Sequence, residues 1–260
     1  GPLGLLTTFS YSTSPSVSSL KMGRTLRMAF PRTGAGDRPP TAPSVTERVA
    51  RTLLHWRLAT RTEMTPEELR NWRKAERQRL IAARTAVDPA TLARWREAID
   101  AHLEAAFPDL ARGVVAFCWP VLAEYDPRYL GRRLRERGAT TALPVVVAPR
   151  TPLAFREWHP GVKLAEGAMK IPYPADSREV IPDTVLLPMN GWDAQGYRLG
   201  YGAGYFDRTL ASLARRPRVI GVTYELARMD TIHPQAWDIP ADFVVTEAGL
   251  RTLQRTTKGP

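Results

Sequence analysis

Short apolar runs alternate with amphipathic stretches along most of the chain. Runs rich in β-branched and aliphatic residues, which have the length of buried strands, lie at 114–119, 143–148, 153–155, 184–187, 219–223 and 242–246. Between most of them, apolar positions recur at helical spacing. Strands that alternate with helices, without hairpin signals, predict an α/β fold. We therefore expect three layers, with a mostly parallel, Rossmann-like sheet covered by helices on both faces.

Two helices are predicted ahead of the first strand. Residues 65–68 read Thr-Pro-Glu-Glu, which supplies an N-cap, a proline at the first helical position and the glutamate of a capping box. This helix is expected to reach about residue 84. Asp88 and Pro89 begin the second helix. Its apolar positions share one face and predict core packing: Leu92, Trp95, Ile99 and Leu103.

The most informative stretch follows the strand at 184–187. Gly200, Gly202 and Gly204 alternate with other residues and lead directly into a predicted helix. Such glycines allow positive φ and let a ligand approach the backbone, and the N–H groups at a helix start suit phosphate. Asp207 is a candidate helix cap or Mg²⁺ ligand beside that phosphate. A tightly packed turn is the alternative interpretation of the glycines alone.

Composition and cysteine content narrow the class of protein. The 260 residues suit one large domain or two small ones, and the single cysteine excludes an intramolecular disulfide framework. We expect Cys118 to be a small buried apolar group within its strand. No apolar run approaches the ~20 residues that cross a bilayer. The four scattered histidines lack metal-ligand spacing, so no zinc site is predicted.

The amino-terminal part of the chain differs in composition from the rest. Residues 1–44 are basic and rich in Ser, Thr, Pro and Gly, which predicts a disordered extension. The segment also resembles an organelle transit peptide, but a wrongly assigned start or a remnant of an expression tag is favoured. Residues 45–260 are expected to form a single α/β domain that opens with a short helix at 45–62. The predicted location is cytoplasmic, or organellar if residues 1–44 are a transit peptide.

An eleven-residue string identifies a family. Residues 198–208 read Arg-Leu-Gly-Tyr-Gly-Ala-Gly-Tyr-Phe-Asp-Arg, which resembles the R-L-G-x-G-x-G-Y-Y-D signature of the 5-formyltetrahydrofolate cyclo-ligase family. The resemblance extends over about residues 66–250 and implies the cyclo-ligase fold. It also implies ATP- and Mg²⁺-dependent cyclisation of 5-formyltetrahydrofolate to 5,10-methenyltetrahydrofolate, with release of ADP and phosphate. The partners would be a small folate substrate and ATP, bound by a monomer that contacts no membrane.

The resemblance also implies roles for individual residues. The catalytic group would be Arg198, Tyr205 and Asp207, and Asp207 would bind the metal ion. The folate would contact Glu124, Tyr173, Trp192 and Phe206. The nucleotide would contact a basic helix face and the glycine loop: Arg70, Arg73, Lys74, Arg198, Gly200, Tyr201, Gly202, Ala203, Gly204 and Tyr205.

Several positions depart from the family pattern. Tyr173 stands where the family has a polar side chain, Phe206 replaces a tyrosine and Trp237 replaces a histidine. The lysine expected near residues 69–70 of the basic helix is also missing. These departures leave open a paralogue that binds nucleotide or folate but acts on another substrate or regulates.

The net charge of +11 supports a further alternative, an RNA-associated protein that uses the helix at 66–84 and the amino-terminal arm. The basic residues are spread along the chain rather than gathered in one stripe. ATP and a polyglutamylated folate are also polyanions, so a basic site suits the cyclo-ligase as well. Nucleic-acid binding is therefore the less favoured interpretation.

Overall fold

The structure is a computed structural model that describes residues 64–254. The extension predicted at 1–44 and the short helix predicted at 45–62 lie outside the described residues. Two long helices open the described part, α1 (Pro66–Thr85) and α2 (Pro89–Ala106). Thr65 and Glu68 form the predicted capping box, and the Asp88 carboxylate accepts the backbone N–H of Thr91. Both predicted helix starts are confirmed.

The remaining elements follow in chain order. The strands are β1 (Val114–Phe117), β2 (Thr140–Val145), β3 (Ala154–Trp158), β4 (Leu164–Glu166), β5 (Pro172–Pro174), β6 (Thr184–Pro188), β7 (Gly191–Trp192), β8 (Arg198–Leu199), β9 (Arg218–Val222), β10 (Phe243–Thr246) and β11 (Gly249–Arg251). The later helices are α3 (Arg128–Glu136) and α4 (Tyr205–Ser212). Relative to the sequence prediction, β2 begins earlier and β1 ends before Cys118.

One seven-stranded sheet organises the molecule, in the order β11-β10-β9-β6-β1-β2-β3. The five central strands run parallel, and the two edge strands, β11 and β3, pair antiparallel with their neighbours. The small hairpins β4–β5 and β7–β8 lie outside this sheet. The mostly parallel α/β sheet is confirmed, but the antiparallel edges and the hairpins were not predicted.

Each face of the sheet packs against its own hydrophobic cluster. Val115 and Phe117 of β1 pack with α2 and α3, whereas Ala116 between them packs with Leu210 of α4. Successive side chains of a strand point to opposite faces, so α2 and α3 cover one face and α4 covers the other. The predicted three layers are confirmed. Parallel strands β1 and β6 end at the same edge, where open α/β sheets place their ligands.

Candidate active site

A cavity of about 750 Å³ opens at the carboxyl ends of the central strands, within the usual range for small-molecule sites. Its walls come from the segment after β1, the β4–β5 hairpin, the glycine loop with α4, and residues 236–239. Two residues of α1, Arg73 and Arg77, complete the lining. Cys118 also lines the cavity because β1 ends at Phe117, which corrects the prediction of a strand residue. Burial raises the pKa of its thiol.

The glycine loop between β8 and α4 has the backbone that the sequence predicts. Gly202 and Gly204 have φ of 98° and 65°, in the left-handed region that favours glycine. A Cβ on Gly202 would lie 3.2 Å from Nη2 of Arg77, and one on Gly204 would lie 3.1 Å from Nη1 of Arg208. A Cβ on Gly200 would meet no atom within 4 Å. The glycines thus let two guanidinium groups approach the loop backbone closely, which suits an anionic ligand.

Those two arginines were not assigned by sequence analysis. Nε of Arg77 donates to the carbonyl of Gly200 at 2.5 Å, and Nη2 of Arg208 donates to the carbonyl of Ala203 at 2.5 Å. Burial and the nearby Arg73 lower the pKa of Arg77. Nε of Arg208 is buried and finds no acceptor among the residues that the structure describes. A buried donor of this kind is costly unless a ligand oxygen satisfies it.

The helix face that α1 turns toward the cavity differs from the one predicted, which corrects part of the nucleotide site. Arg70 and Lys74 are exposed and do not line the cavity, whereas Arg73 and Arg77, one helical turn apart, do. Arg73 pairs with Asp238 at 2.6 Å and donates to the carbonyl of His233 at 2.9 Å. Of the two cations on this face, Arg77 is the one that bonds the glycine loop.

Arg198 and Asp207 are brought together at the same end of the cavity. Nη2 of Arg198 lies 2.8 Å from Oδ1 of Asp207, and Nη1 donates to the carbonyl of Ile239 at 2.7 Å. Oδ1 of Asp207 also accepts the N–H of Ile239 at 3.0 Å. Asp207 does not cap α4, because the N-cap residue is Gly204 and makes no side-chain capping bond. Its second oxygen, Oδ2, takes part in none of these contacts.

Glu124 is a further acidic side chain in the cavity wall, and it lies beside Tyr201 of the glycine loop. It follows Leu122 and Ala123, which have φ of 48° and 59° although neither is glycine. Its Oε1 accepts the hydroxyl of Tyr201 at 2.8 Å and lies 3.8 Å from Nη2 of Arg84, while Oε2 accepts the N–H of Val121 at 3.1 Å. Burial raises the pKa of Glu124, and these three contacts oppose that rise. Left-handed non-glycine residues are costly and concentrate at functional sites.

The aromatic predictions divide into two groups. Tyr173, Tyr205 and Phe206 line the cavity. Trp192 does not, because it is 2% exposed and its indole N–H donates to the carbonyl of Tyr224. The predicted role of Trp192 in holding a ring is therefore wrong. Trp119 and Trp237 line the cavity instead, and sequence analysis assigned neither to binding.

Two further findings concern the described residues 64–254 only. They contain no helix that is both long enough and apolar enough to cross a membrane. They also contain no group of three or more His, Cys, Asp or Glu side chains placed to hold a metal ion. A divalent cation here would need oxygens from a ligand or water besides a protein carboxylate, which is the usual mode of Mg²⁺.

Fold and site together define a class: an α/β protein whose cavity combines a cationic glycine loop, a buried carboxylate and aromatic rings. A model of the 5-formyltetrahydrofolate cyclo-ligase family matches residues 69–247. The chain belongs to this family. The resemblance found in residues 198–208, and the ligase class that it implied, are confirmed.

Relatives with known names agree with the family match. The chain is 32% identical over 130 residues to 5-formyltetrahydrofolate cyclo-ligase of Escherichia coli K12, an alignment that covers 47% of this chain and 71% of that protein. It is 33% identical over 135 residues to the protein of the same name from Mycolicibacterium smegmatis, covering 49% of this chain and 70% of that one.

Solved structures show the same fold. The NMR structure of 5,10-methenyltetrahydrofolate synthetase from Aquifex aeolicus superposes with a TM-score of 0.61 and 26% identity, covering 72% of this chain and 96% of that one. The synthetase from Mycoplasma pneumoniae gives a TM-score of 0.55 at 20% identity, covering 67% of this chain and 98% of that one. At that identity the second likeness supports the fold alone.

Proposed function

We propose that the chain catalyses the ATP- and Mg²⁺-dependent cyclisation of 5-formyltetrahydrofolate to 5,10-methenyltetrahydrofolate, releasing ADP and phosphate. One observation carries the proposal: a single cavity is lined both by a glycine loop that guanidinium groups approach and by the buried side chain of Glu124. Tyr201 belongs to the loop and donates to Glu124 directly, so the two features adjoin.

The chemistry explains why one cavity needs both the glycine loop and Glu124. The formyl oxygen on N5 is a poor leaving group and must first be phosphorylated. It therefore attacks the γ-phosphorus of ATP, and ADP departs. N10 then attacks the formyl carbon, loses its proton, and the C–O bond breaks as phosphate leaves. Such transfer asks the protein chiefly for positioning and charge neutralisation.

The glycine loop is the proposed cradle for the phosphates. The N–H groups of residues 200–205 would face phosphate oxygens at the start of α4. Arg77 and Arg208 lie against the loop, and the buried donor of Arg208 suits an oxygen ligand. Arg198 and Arg73 are fixed by Asp207 and Asp238, so they would present their charge without losing much freedom.

The carboxylates at this end fit Mg²⁺ held jointly with phosphates. Oδ2 of Asp207 is left out of the bonds to Arg198 and Ile239, and Oδ1 of Asp238 is left out of the bond to Arg73. Asp238 precedes Ile239 in the chain, and the N–H of Ile239 donates to Asp207. This bond holds the two carboxylate residues near each other. Mg²⁺ typically takes one or two carboxylates together with phosphate oxygens and water. When bound, the ion would neutralise charge on the transferred phosphoryl group.

The folate is assigned to the part of the cavity around Glu124. A pterin ring carries N–H donors, and the carboxylate of Glu124 has acceptor capacity beyond its bonds to Tyr201 and Val121. Tyr173 and Phe206 line the same cavity and supply ring contacts. Trp192 is left out of this proposal because it is buried in the core.

The direct test is an absorbance assay of the purified protein with 5-formyltetrahydrofolate, Mg²⁺ and ATP, following the near-ultraviolet band of the methenyl product. A rise that requires both ATP and Mg²⁺ supports the proposal. A rise without ATP or without Mg²⁺, or no rise when both are present, contradicts it.

A second candidate function is a paralogue that binds nucleotide or folate but acts on another substrate or regulates. The observation that favours it is the position of the three departures from the family pattern, since Tyr173, Phe206 and Trp237 all line the cavity. In the same assay, a higher melting temperature with ATP but no methenyl band is the outcome expected of that paralogue.

A further inference from the structure

A buried arginine lies behind the cavity rather than in its lining. Arg84 is 3% exposed and ends the buried face of α1, one turn after Leu80. Both residues point inward because positions four apart share a helix face. A buried guanidinium is costly unless its N–H groups find partners, and an aliphatic side chain could pack there instead. The role of Arg84 therefore depends on what it bonds.

Its donors reach three separate segments that end at the cavity. Nε donates to the carbonyl of Leu122 at 2.8 Å, and Nη1 donates to Oδ1 of Asn190 at 3.0 Å. Nη2 lies 3.4 Å from the hydroxyl of Tyr201 and 3.8 Å from Oε1 of Glu124. One side chain thus ties the turn after β1, the residues after β6 and the glycine loop to the end of α1.

The turn after β1 is the segment that most needs such support. Leu122 and Ala123 both have positive φ, a conformation that L side chains rarely adopt. These two residues set the direction of Glu124, which comes next. The bond from Arg84 to the Leu122 carbonyl fixes the first of them. Within the described residues, this is the hydrogen bond by which α1 holds the turn, whose own backbone bond runs from the N–H of Glu124 to the carbonyl of Val121.

We propose that Arg84 is the positioning residue of the site, holding the Glu124 turn and Tyr201 of the glycine loop in one network. This role rests on the proposed function, in which Glu124 accepts the folate. Arg84 sets the separation between the folate acceptor and the phosphate cradle, and a small displacement of either is costly in rate. Its charge also opposes the burial that raises the pKa of Glu124.

The test compares Arg84→Met and Arg84→Lys with Arg79→Met. Arg79 lies on the same helix but is exposed, and among the residues that the structure describes it pairs with Glu76, so its variant is the matched control. We expect Arg84→Met to lower kcat/KM for the folate by about tenfold to a hundredfold, mostly through KM. Arg84→Lys keeps the charge but loses the fork that joins Leu122 to Asn190, so its kcat/KM should also fall.

The pH profile separates positioning from simple packing. Besides Arg84, the titratable groups that interact with Glu124 are Tyr201, Cys118 and Tyr224, and both Arg84 variants retain all three. Removing the arginine charge lets burial raise the pKa of Glu124 further. The acid limb of kcat/KM should therefore move to higher pH in Arg84→Met and stay near its original position in Arg84→Lys.

Tyr201→Phe tests the same network if an Arg84 variant does not fold. It removes the hydroxyl that both Arg84 and Glu124 reach, and it lies on an exposed loop, so the fold should persist. Its kcat/KM for the folate should fall severalfold. Arg84 variants with a lowered melting temperature but unchanged kcat/KM and acid limb overturn the proposal.

Failure of the proposed function has a different signature. The unsubstituted chain would then neither form the methenyl product nor change its tryptophan fluorescence with 5-formyltetrahydrofolate. If it binds the folate without turnover, the same variants are compared by Kd for the folate. Equal Kd values in the unsubstituted chain and in Arg84→Met would overturn the role of Arg84.

Discussion

Two glycines of the same loop differ in backbone conformation and surroundings. The difference distinguishes a glycine required by the fold from one required by ligand binding. Gly200 does not have a positive φ, and a Cβ there meets no atom within 4 Å. Gly202 has a φ of 98°, which a side chain would strain. The same substitution by alanine should therefore have different effects at the two positions.

Gly200→Ala should leave the melting temperature unchanged while raising the KM for ATP by roughly tenfold, or about 1.4 kcal/mol, because only the ligand would meet the new methyl group. Gly202→Ala should lower the free energy of unfolding by about 1 kcal/mol as well. Thermal denaturation and initial rates against ATP concentration measure both. An unchanged KM in Gly200→Ala would remove residue 200 from the phosphate cradle.

Glu124 should give folate binding an acid limb. Burial raises its pKa, so the ionised acceptor is fully present above that pKa and is lost as the pH falls through it. Binding of 5-formyltetrahydrofolate should weaken below a pH that is higher than expected for an exposed glutamate. In Glu124→Gln, affinity should be lower by about 2 kcal/mol, roughly thirtyfold, and lack this limb.

Fluorescence titration with the folate at several pH values measures the effect. Glu76→Gln is the control, because Glu76 pairs with Arg79 on α1 and does not line the cavity. If Glu124→Gln kept the same pH dependence as the unsubstituted chain, a different group would be responsible for the limb.

At the residue scale, the sequence predicts what is local and misses what depends on packing. The glycine loop and Asp207 are contiguous in the chain, and the cavity contains them. Arg77 and Arg84 could not be assigned, because only the packed position of α1 determines which helix face meets the loop. Trp192 was misassigned since its ring is buried in the core, where its indole N–H donates to the carbonyl of Tyr224, a residue distant in the chain.

Among the helices, α3 contains a glycine whose lack of a side chain is required by packing. A Cβ on Gly131 would lie 2.8 Å from Cε1 of Phe117 and 3.4 Å from Cζ3 of Trp158. Both rings are buried and contact each other edge to face, with centroids 5.4 Å apart, so neither can move easily. The close approach of α3 to the sheet depends on this residue.

Gly131→Ala should therefore destabilise the protein even though alanine favours helix by about 1 kcal/mol. Overpacking a filled core costs about 1–3 kcal/mol, which exceeds that gain. We expect a net loss of about 1 kcal/mol in the free energy of unfolding by urea denaturation. Arg132→Ala, at an exposed position of the same helix, is the control. A more stable Gly131→Ala variant would show that the rings can separate.

The prediction of helices and strands succeeded where a capping residue or an apolar run marks the element. It failed where the direction of a strand depends on the neighbouring strand. Thr65 and Asp88 determine helix starts through bonds within four residues, so sequence alone predicts them. The direction of β3 and β11 depends on which neighbour accepts their backbone bonds across the sheet. That choice leaves no local pattern, and both strands pair antiparallel.

For the whole molecule, the positive charge is distributed by pairing. Arginines form ion pairs with acidic residues on several elements, including Arg96 with Asp100, Arg135 with Glu157 and Arg218 with Asp109. Within residues 64–254, one cavity is lined by Arg73, Arg77, Arg198 and Arg208. Its size suits a compact polyanionic ligand such as ATP. A long nucleic acid would instead require a continuous basic surface.

The part of the chain that performs the reaction should also be separable from its amino-terminal segment. Every described residue that lines the cavity lies between Arg73 and Ile239, and the family match spans residues 69–247. One compact unit of the chain extends from Thr62 to Pro260 and contains all of these residues. A chain truncated to begin at Thr62 should keep its melting temperature within about 2 °C and its kcat/KM within about twofold, since every described residue of the site is retained. A chain that begins at Lys74 is the comparison, because it loses the capping box, Leu69 and Arg73, and should lose both stability and turnover. A large loss of activity on truncation at Thr62 would instead assign residues 1–61 a part in the reaction.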